Sequence, residues 1–343
     1  MDFTSRSTYL YELPNELIAQ YPCSPRDQSR LMIVNRSSGA IFEMVFGELV
    51  DLLKEKDGLV FNDTKVIPAR LIGRKGSGGV LEVFLLEQQP DGTWAALTRP
   101  AKKAHVGTTI FFSDTFSCEV LEDIAEGAKR IRFHYEGDFN AVLAQHGQMP
   151  LPPYIRRKYN SEDESNYQTI FAKHPGAIAA PTAALHFTPG LVQALAAKGI
   201  SETHLTLHVG IGTFRPVQTE DIRQHVMHAE RYEISPEAAQ RLNSHPEGSR
   251  QICVGTTTCR TLEFASDEQG IIRPGFGSTD IFIYPGYTFK YISSLLTNFH
   301  LPGSTLLMLV CAFAGYDLTM EAYAKAIKDR YRFYSYGDAM LIL

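Results

Sequence analysis

Residues 57–71 read DGLVFNDTKVIPARL, and the fold is decided by what changes inside them. Residues 59–61 form a short apolar run after Gly58 that meets the polar trio Asn62, Asp63 and Thr64, the pattern of a buried strand closing in a turn. Downstream, from residue 66 to 135, short β-rich runs follow one another: VLEVFLLE (80–87), TWAALTRP (93–100), TTIFF (108–112), FSCEVLE (116–122) and RIRFHY (130–135). Turn signals GSGG (76–79), PDGT (90–93) and EG (126–127) separate them, which predicts a small antiparallel barrel. A helix is expected over 138–146. MPLPPYI (149–155) then ends regular structure, because its three prolines fix φ and remove donors.

Beyond that break the character is mixed. Strands such as HLTLHV (204–209) and RQICVG (250–255) alternate with helices such as TPGLVQALAAKG (188–199), with Thr188 as N-cap and Gly199 as stop. The expected architecture is an α/β main domain built from both chain ends, residues 1–63 and 151–343, with an antiparallel β-barrel domain inserted at 64–150.

The bulk numbers bound the function. At 343 residues, with 44% hydrophobic and 21% charged residues, the chain suits a globular protein of one large or two unequal domains. A net charge of −5 disfavours an indiscriminate nucleic-acid binder, yet charge is segregated. Residues 64–105 hold Lys65, Arg70, Arg74, Lys75, Arg99, Lys102 and Lys103 against Glu82, Glu87 and Asp91, and Arg156, Arg157 and Lys158 follow. Such a patch permits polyanion binding, although basic runs are commonly just solvated surface. Five cysteines without C-x-x-C spacing point to a reduced, cytoplasmic protein. The opening MDFTSRSTYLYELP lacks the charge and apolar core of a secretion signal. The apolar run 306–314 is far short of the roughly 20 residues of a membrane helix.

Several motifs invite chemistry and fall short of it. HVGIGTFRP (208–216) has Arg215 where the third glycine of a dinucleotide loop belongs. VGTTTCR (254–260) lacks the G-K-[S/T] end of a phosphate loop, and reads either as a strand-to-helix turn capped by Thr256, Thr257 or Thr258, or as an anion-facing helix start. HVMHAERY (225–232) spaces His225, His228 and Glu230 for zinc only if helical, and no metal is expected. In TNFHLPGSTLLMLV (297–310) the glycine spacing of a serine nucleophile is absent, so Ser304 is expected to cap a buried helix ending at Gly315. AAPTAALHFTPG (179–190) sets His186 behind small residues that suit a pocket wall or a packed turn. The C-terminal segment is expected to form a helix presenting Met320, Tyr323 and Ile327, then a terminal strand after Gly337-Asp338.

Taken together, VFNDTKVIPARL (60–71), RPAKKAHVG (99–107), AIAAPTAALHFT (177–188), THLTLHVGIGTFRPV (203–217), VGTTTCRTLE (254–263), TNFHLPGSTLLMLVCAFAG (297–315) and YRFYSYGDAMLI (331–342) closely resemble the S-adenosylmethionine:tRNA ribosyltransferase-isomerases of queuosine biosynthesis. The matching blocks run in order over nearly the whole chain; Ala184 stands where the family usually has glycine, and Tyr334 where phenylalanine is common. The resemblance implies an α/β domain with an inserted antiparallel barrel. It also implies transfer and isomerisation of the ribosyl part of S-adenosylmethionine onto the aminomethyl group of 7-aminomethyl-7-deazaguanine at the tRNA wobble position, giving epoxyqueuosine and releasing adenine and methionine. S-adenosylmethionine is then a co-substrate, no further cofactor is required, and a monomer is expected. The general base is sought at His186 or His300, with Asp338 and Asp63 as alternatives. Thr256, Thr257, Thr258, Arg260, Ser304 and Thr305 are expected at the co-substrate, and Arg70, Arg74, Lys75, Arg99, Lys102, Lys103, Arg156, Arg157 and Lys158 at the tRNA backbone.

Overall fold

A computed structural model describes residues 1–210, 212 and 217–343, so Arg215 of the incomplete glycine motif lies outside the described residues. After three short 3-10 turns the chain forms β1 (Arg30–Val34), β2 (Ile41–Val45), the one-turn α1 (Leu49–Leu52), β3 (Gly58–Asn62) and β4 (Thr64–Val66). Next come β5 (Arg70–Lys75), β6 (Val80–Gln88), β7 (Trp94–Arg99), β8 (Thr109–Phe111), β9 (Ser117–Asp123), β10 (Lys129–His134), α2 (Phe139–His146) and β11 (Gly147–Gln148). The rest comprises α3 (Asp163–Asn166), β12 (His174–Ala177), α4 (Pro189–Ala197), β13 (Ser201–Leu207), β14 (Glu230–Ile234), α5 (Pro236–Asn243), β15 (Gln251–Val254), α6 (Thr256–Ala265), β16 (Gly275–Thr279), β17 (Ser294–Asn298), α7 (Thr305–Ala314), α8 (Tyr316–Lys328) and β18 (Ala339–Ile342).

Strands β5 to β10 form the expected barrel. Antiparallel pairing runs β5-β6-β7-β10-β9-β8, and β8 returns to β5 through Arg74 opposite Phe111 and Lys75 opposite Ile110. Alternation explains why these runs close on themselves: along β6, Leu81, Val83 and Leu85 point inward and are fully buried, joining Leu71, Ile110, Val120 and Ile131 in one core. Gly73 permits the closure, since a Cβ there would lie 2.9 Å from the Phe111 carbonyl oxygen.

The large sheet has the order β16-β14-β13-β3-β15-β17-β18-β1-β2 and takes strands from both sides of the barrel in sequence. Its centre, β13-β3-β15-β17, is parallel, and β3 and β15 are buried along their whole length, as fits strands covered on both faces. The helices behave as their ends dictate. Thr188 caps α4 by accepting from the Leu191 amide at 3.2 Å, Ser304 caps α7 by accepting from the Leu307 amide at 3.2 Å, and Gly315 ends α7 at φ 89°. No single helix among the described residues is long and apolar enough to cross a membrane; α7 and α8 reach that composition only as a pair bent by 117°.

A candidate substrate cleft at the strand ends

Because β13, β3, β15 and β17 run parallel, they end at one edge of the sheet. The antiparallel β18 brings the residues preceding it to that same edge. Ligands in open α/β sheets bind outside the carboxyl ends of strands. There the structure has a cleft with about 660 Å³ of empty space, open mouth included, lined by residues 179–183, Gly255, Thr256, Thr257, Thr297, Asn298, His300, Ser304, Tyr334 and Tyr154.

One wall is the start of α6. Its N-cap is Gly255 rather than a threonine, at φ 98°, with no side-chain cap and no acidic residue in the first turn. The glycine is there for its backbone angle, since a Cβ would meet nothing closer than 3.8 Å. The first-turn amides of Thr256, Thr257 and Thr258 therefore have no carbonyl four residues back, and the helix presents its positive end. Thr256 and Thr257 line the cleft, while the Thr258 hydroxyl turns back to the Val254 carbonyl at 2.9 Å. Ser304 also lines it, whereas Thr305 opens α7 outside the lining.

Opposite groups follow from hydrogen-bond accounting. Asn298 Nδ2 donates to the Tyr334 carbonyl at 3.0 Å, and a carbonyl can only accept, so the amide's orientation is fixed. The same nitrogen lies 3.2 Å from His186 Nε2, which must then be the acceptor. His186 accordingly carries its proton on Nδ1 and donates to Ser29 Oγ at 2.7 Å. The ring stacks on Phe46 with centroids 4.8 Å apart, and burial, reinforced by Arg332 and Arg26, pushes its pKa down to about 3. His186 is thus a neutral strut behind Asn298. The Asn298 Oδ1 atom remains buried with no partner, an exception that asks for an explanation. Tyr334 sits at φ 72°, rare for a bulky residue, and is held there by Asn298 and by its own amide donating to the Phe299 carbonyl.

His300 differs from His186. Its Nε2 lies 2.8 Å from Thr297 Oγ1, its amide donates to the Tyr323 hydroxyl oxygen at 3.0 Å, and its carbonyl accepts from the Tyr11 hydroxyl. Burial lowers its pKa to about 3. Among the described residues Nδ1 has no protein partner, so this ring combines a place in the lining with an uncommitted nitrogen.

The other expected residues lie elsewhere. Asp338 is buried and saturated: it accepts from the amides of Arg30 at 3.1 Å and Arg332 at 2.8 Å, and from the Arg332 guanidinium. Asp63 lines a separate polar cavity with His174 and His204, accepting from the Thr206 hydroxyl at 2.7 Å. Arg260 is not among the lining residues. It is buried against Glu230, Nη1 to Oε2 3.0 Å, and its Nε donates to the Ile281 carbonyl. Residues 222–224 form a single 3-10 turn and Glu230 opens β14, so His225, His228 and Glu230 do not share a helix. Of the basic residues, Arg74, Arg99, Lys102, Lys103, Arg156 and Lys158 are exposed. Arg70 pairs with Glu82 at 2.7 Å, and the Lys75 ammonium donates to the Lys103 carbonyl at 3.3 Å. Arg157 is clamped to the buried Asp163 by two hydrogen bonds of 2.5 and 2.8 Å. Sequence reasoning gave neither Asn298 nor Tyr154 a place in the site; Asn298 stood out only as one of the polar residues that run into the apolar stretch after TNFHLPGST.

A family model described as Queuosine biosynthesis protein matches residues 6–342. A relative from Symbiobacterium thermophilum, named S-adenosylmethionine:tRNA ribosyltransferase-isomerase, is 54% identical over 340 residues, covering 98% of this chain and 99% of its own. One of the same name from Pelotomaculum thermopropionicum is 52% identical over 341 residues, with 98% and 99% covered. A crystal structure of S-adenosylmethionine tRNA ribosyltransferase from Thermotoga maritima is 39% identical, covers 98% of this chain and 100% of that chain, and superposes with a TM-score of 0.56.

Proposed function

The chain belongs to the queuosine biosynthesis protein family, and from that premise we propose that it is an S-adenosylmethionine:tRNA ribosyltransferase-isomerase whose co-substrate occupies the cleft at the strand ends. The acceptor is the aminomethyl group of 7-aminomethyl-7-deazaguanine at the tRNA wobble position. The amine nitrogen forms a bond to the 5′ carbon of the ribose as the carbon–sulfur bond breaks, and the bonding pair leaves with methionine. In the net change the amine sheds a proton, and the glycosidic bond breaks with its electron pair leaving on adenine, which takes up a proton given by the ribosyl unit as that unit isomerises, by internal bond formation, to the epoxide. Holding amine and carbon together supplies up to about 7–11 kcal/mol of the barrier.

The observation that carries this reading is that one cleft is lined both by the uncapped start of α6 and by Asn298, whose buried side-chain oxygen has no protein partner among the described residues, a pairing that suits a zwitterion. The uncapped α6 start offers amides to a carboxylate, and Asn298 Oδ1 offers a fixed, unpartnered acceptor to an ammonium. The methionine part of the co-substrate has both groups. His300, with its free Nδ1, is the proposed proton acceptor, and residues 64–150 act in this reading as an inserted RNA-binding unit. The deciding test is incubation with S-adenosylmethionine and aminomethyl-modified tRNA: adenine should appear only when both are present, and adenine release indifferent to the RNA would refute the assignment.

Asn298→Ala should weaken S-adenosylmethionine binding by about 10- to 150-fold, the value of a buried hydrogen bond to a charged group. Calorimetric titration measures it, and unchanged affinity would remove Asn298 from the site. On the barrel, Lys75, Lys102 and Lys103 cluster, and reversing all three to glutamate should weaken tRNA binding. The slope of log affinity against log salt should flatten by roughly 0.7–0.9 for each phosphate that is no longer neutralised. An unaltered slope would reject this patch.

A further inference from the structure

A second cavity lies back to back with the cleft. The groove has about 1440 Å³ of empty space, open mouth included, between the outer face of the barrel and the proline-rich segment that follows it. The wall separating the two is one chain thick. Tyr154 lines the cleft, whereas its neighbours Pro153 and Ile155 line the groove; Ala179 lines the cleft, whereas Ile178 lines the groove. The wall is tied down on both strands, because Tyr154 shares a 2.5 Å hydrogen bond with Ser335 and the amides of Ile178 and Ala179 both donate to the Val209 carbonyl.

The groove's chemistry is that of a flat ligand bearing negative charge. Prolines 150, 152 and 153 give one rigid side with no amide donors, and Phe84 and Leu97, directly opposite each other on β6 and β7, give the other. Two of its guanidinium groups are already neutralised, Arg70 by Glu82 and Arg157 by Asp163. Arg99 at the rim is exposed and has no acidic partner among the described residues. Apolar faces for stacking and one uncommitted guanidinium for a phosphate are what a single unstacked nucleotide requires.

We propose that this groove is a subsite for one splayed nucleotide of the RNA, adjacent in sequence to the nucleotide whose base enters the cleft. The proposal rests on the tRNA-directed reading above and adds to it a second base-binding position outside the reaction centre. The one-chain wall lets consecutive nucleotides straddle residues 153–155, so that occupancy of the groove presents its neighbour to the cleft.

The experiment uses the full-length protein and an anticodon stem-loop bearing 2-aminopurine in turn at each position flanking the modified nucleotide. One flanking position should change its fluorescence on binding, and Ala101→Trp, which fills the groove from an exposed position, should abolish that change. The same variant and Arg99→Ala should raise KM for the stem-loop about tenfold while leaving S-adenosylmethionine affinity at the wild-type value, which also reports that the variants are folded. Wild-type adenine release with no fluorescence change at any flanking position, or an unaltered KM in Ala101→Trp, would overturn the groove assignment alone. Absence of RNA-dependent adenine release from the wild type would overturn the underlying reading and the subsite with it.

Discussion

Arg260→Ala is expected to lower the free energy of unfolding by about 3–5 kcal/mol while the protein that remains folded binds S-adenosylmethionine with near wild-type affinity. The guanidinium is only 4% exposed and Glu230 only 5%, so both charges have left water. Their 3.0 Å contact and the bond from Nε to the Ile281 carbonyl offset part of that desolvation, Nη2 being buried without a partner among the described residues, and truncation would leave a carboxylate in the interior with the Gly210 amide at 3.4 Å as a donor. Charge alone suggested the opposite role, a partner for the co-substrate carboxylate. The two roles separate cleanly in urea titration set beside calorimetry. Unchanged stability with lost affinity would return Arg260 to the ligand.

Arg260 also shows what the sequence could and could not disclose. The barrel was legible because inward and outward residues alternate along β6, β7, β9 and β10 and turn residues fall between them; period and punctuation are local properties. The caps Thr188 and Ser304 were legible for the same reason. The direction a side chain leaves a helix relative to strands far away in sequence is not local. Within VGTTTCR the threonines and the arginine looked equivalent as anion ligands, yet Thr256 and Thr257 face the cleft, Thr258 returns to its own backbone, and Arg260 reaches a strand 30 residues earlier. Asn298 was hidden for a related reason. Its significance lies in an oxygen left unpaired after Tyr334 and His186 have taken the amide nitrogen, and those partners are 36 and 112 residues away. His186 looked like a base because histidine titrates near neutrality in water; burial between Phe46, Ser29 and Asn298 makes it an orienting group.

His300→Ala should slow single-turnover adenine release by about 10²-fold, the low end of the range for loss of a positioned proton acceptor because burial makes the ring a weak base, with S-adenosylmethionine affinity changed far less. His300 is the one expected catalytic residue that both lines the cleft and keeps a nitrogen free of protein partners among the described residues. Free imidazole should restore part of the rate in the variant, which a merely structural loss would not allow. The pH dependence gives a second, independent check. With its pKa lowered to about 3 by burial, His300 is already neutral across the working range, so kcat/KM should show no step near 6.5 from this group. Stability behaves differently. His186 and His300 both titrate near 3 when folded and near 6.5 when unfolded, so the unfolded chain binds more protons between those values. The stabilisation from keeping the two rings neutral is complete above pH 6.5 and is lost as pH falls towards 3. Acid should therefore inactivate the enzyme by unfolding it before His300 is protonated in the native state: the urea midpoint declines below pH 6.5 while the rate per folded molecule holds. A kinetic pKa near 6.5 that vanishes in His300→Ala, with the urea midpoint flat from about pH 7 to 5, would show a solvated imidazole and a different base mechanism.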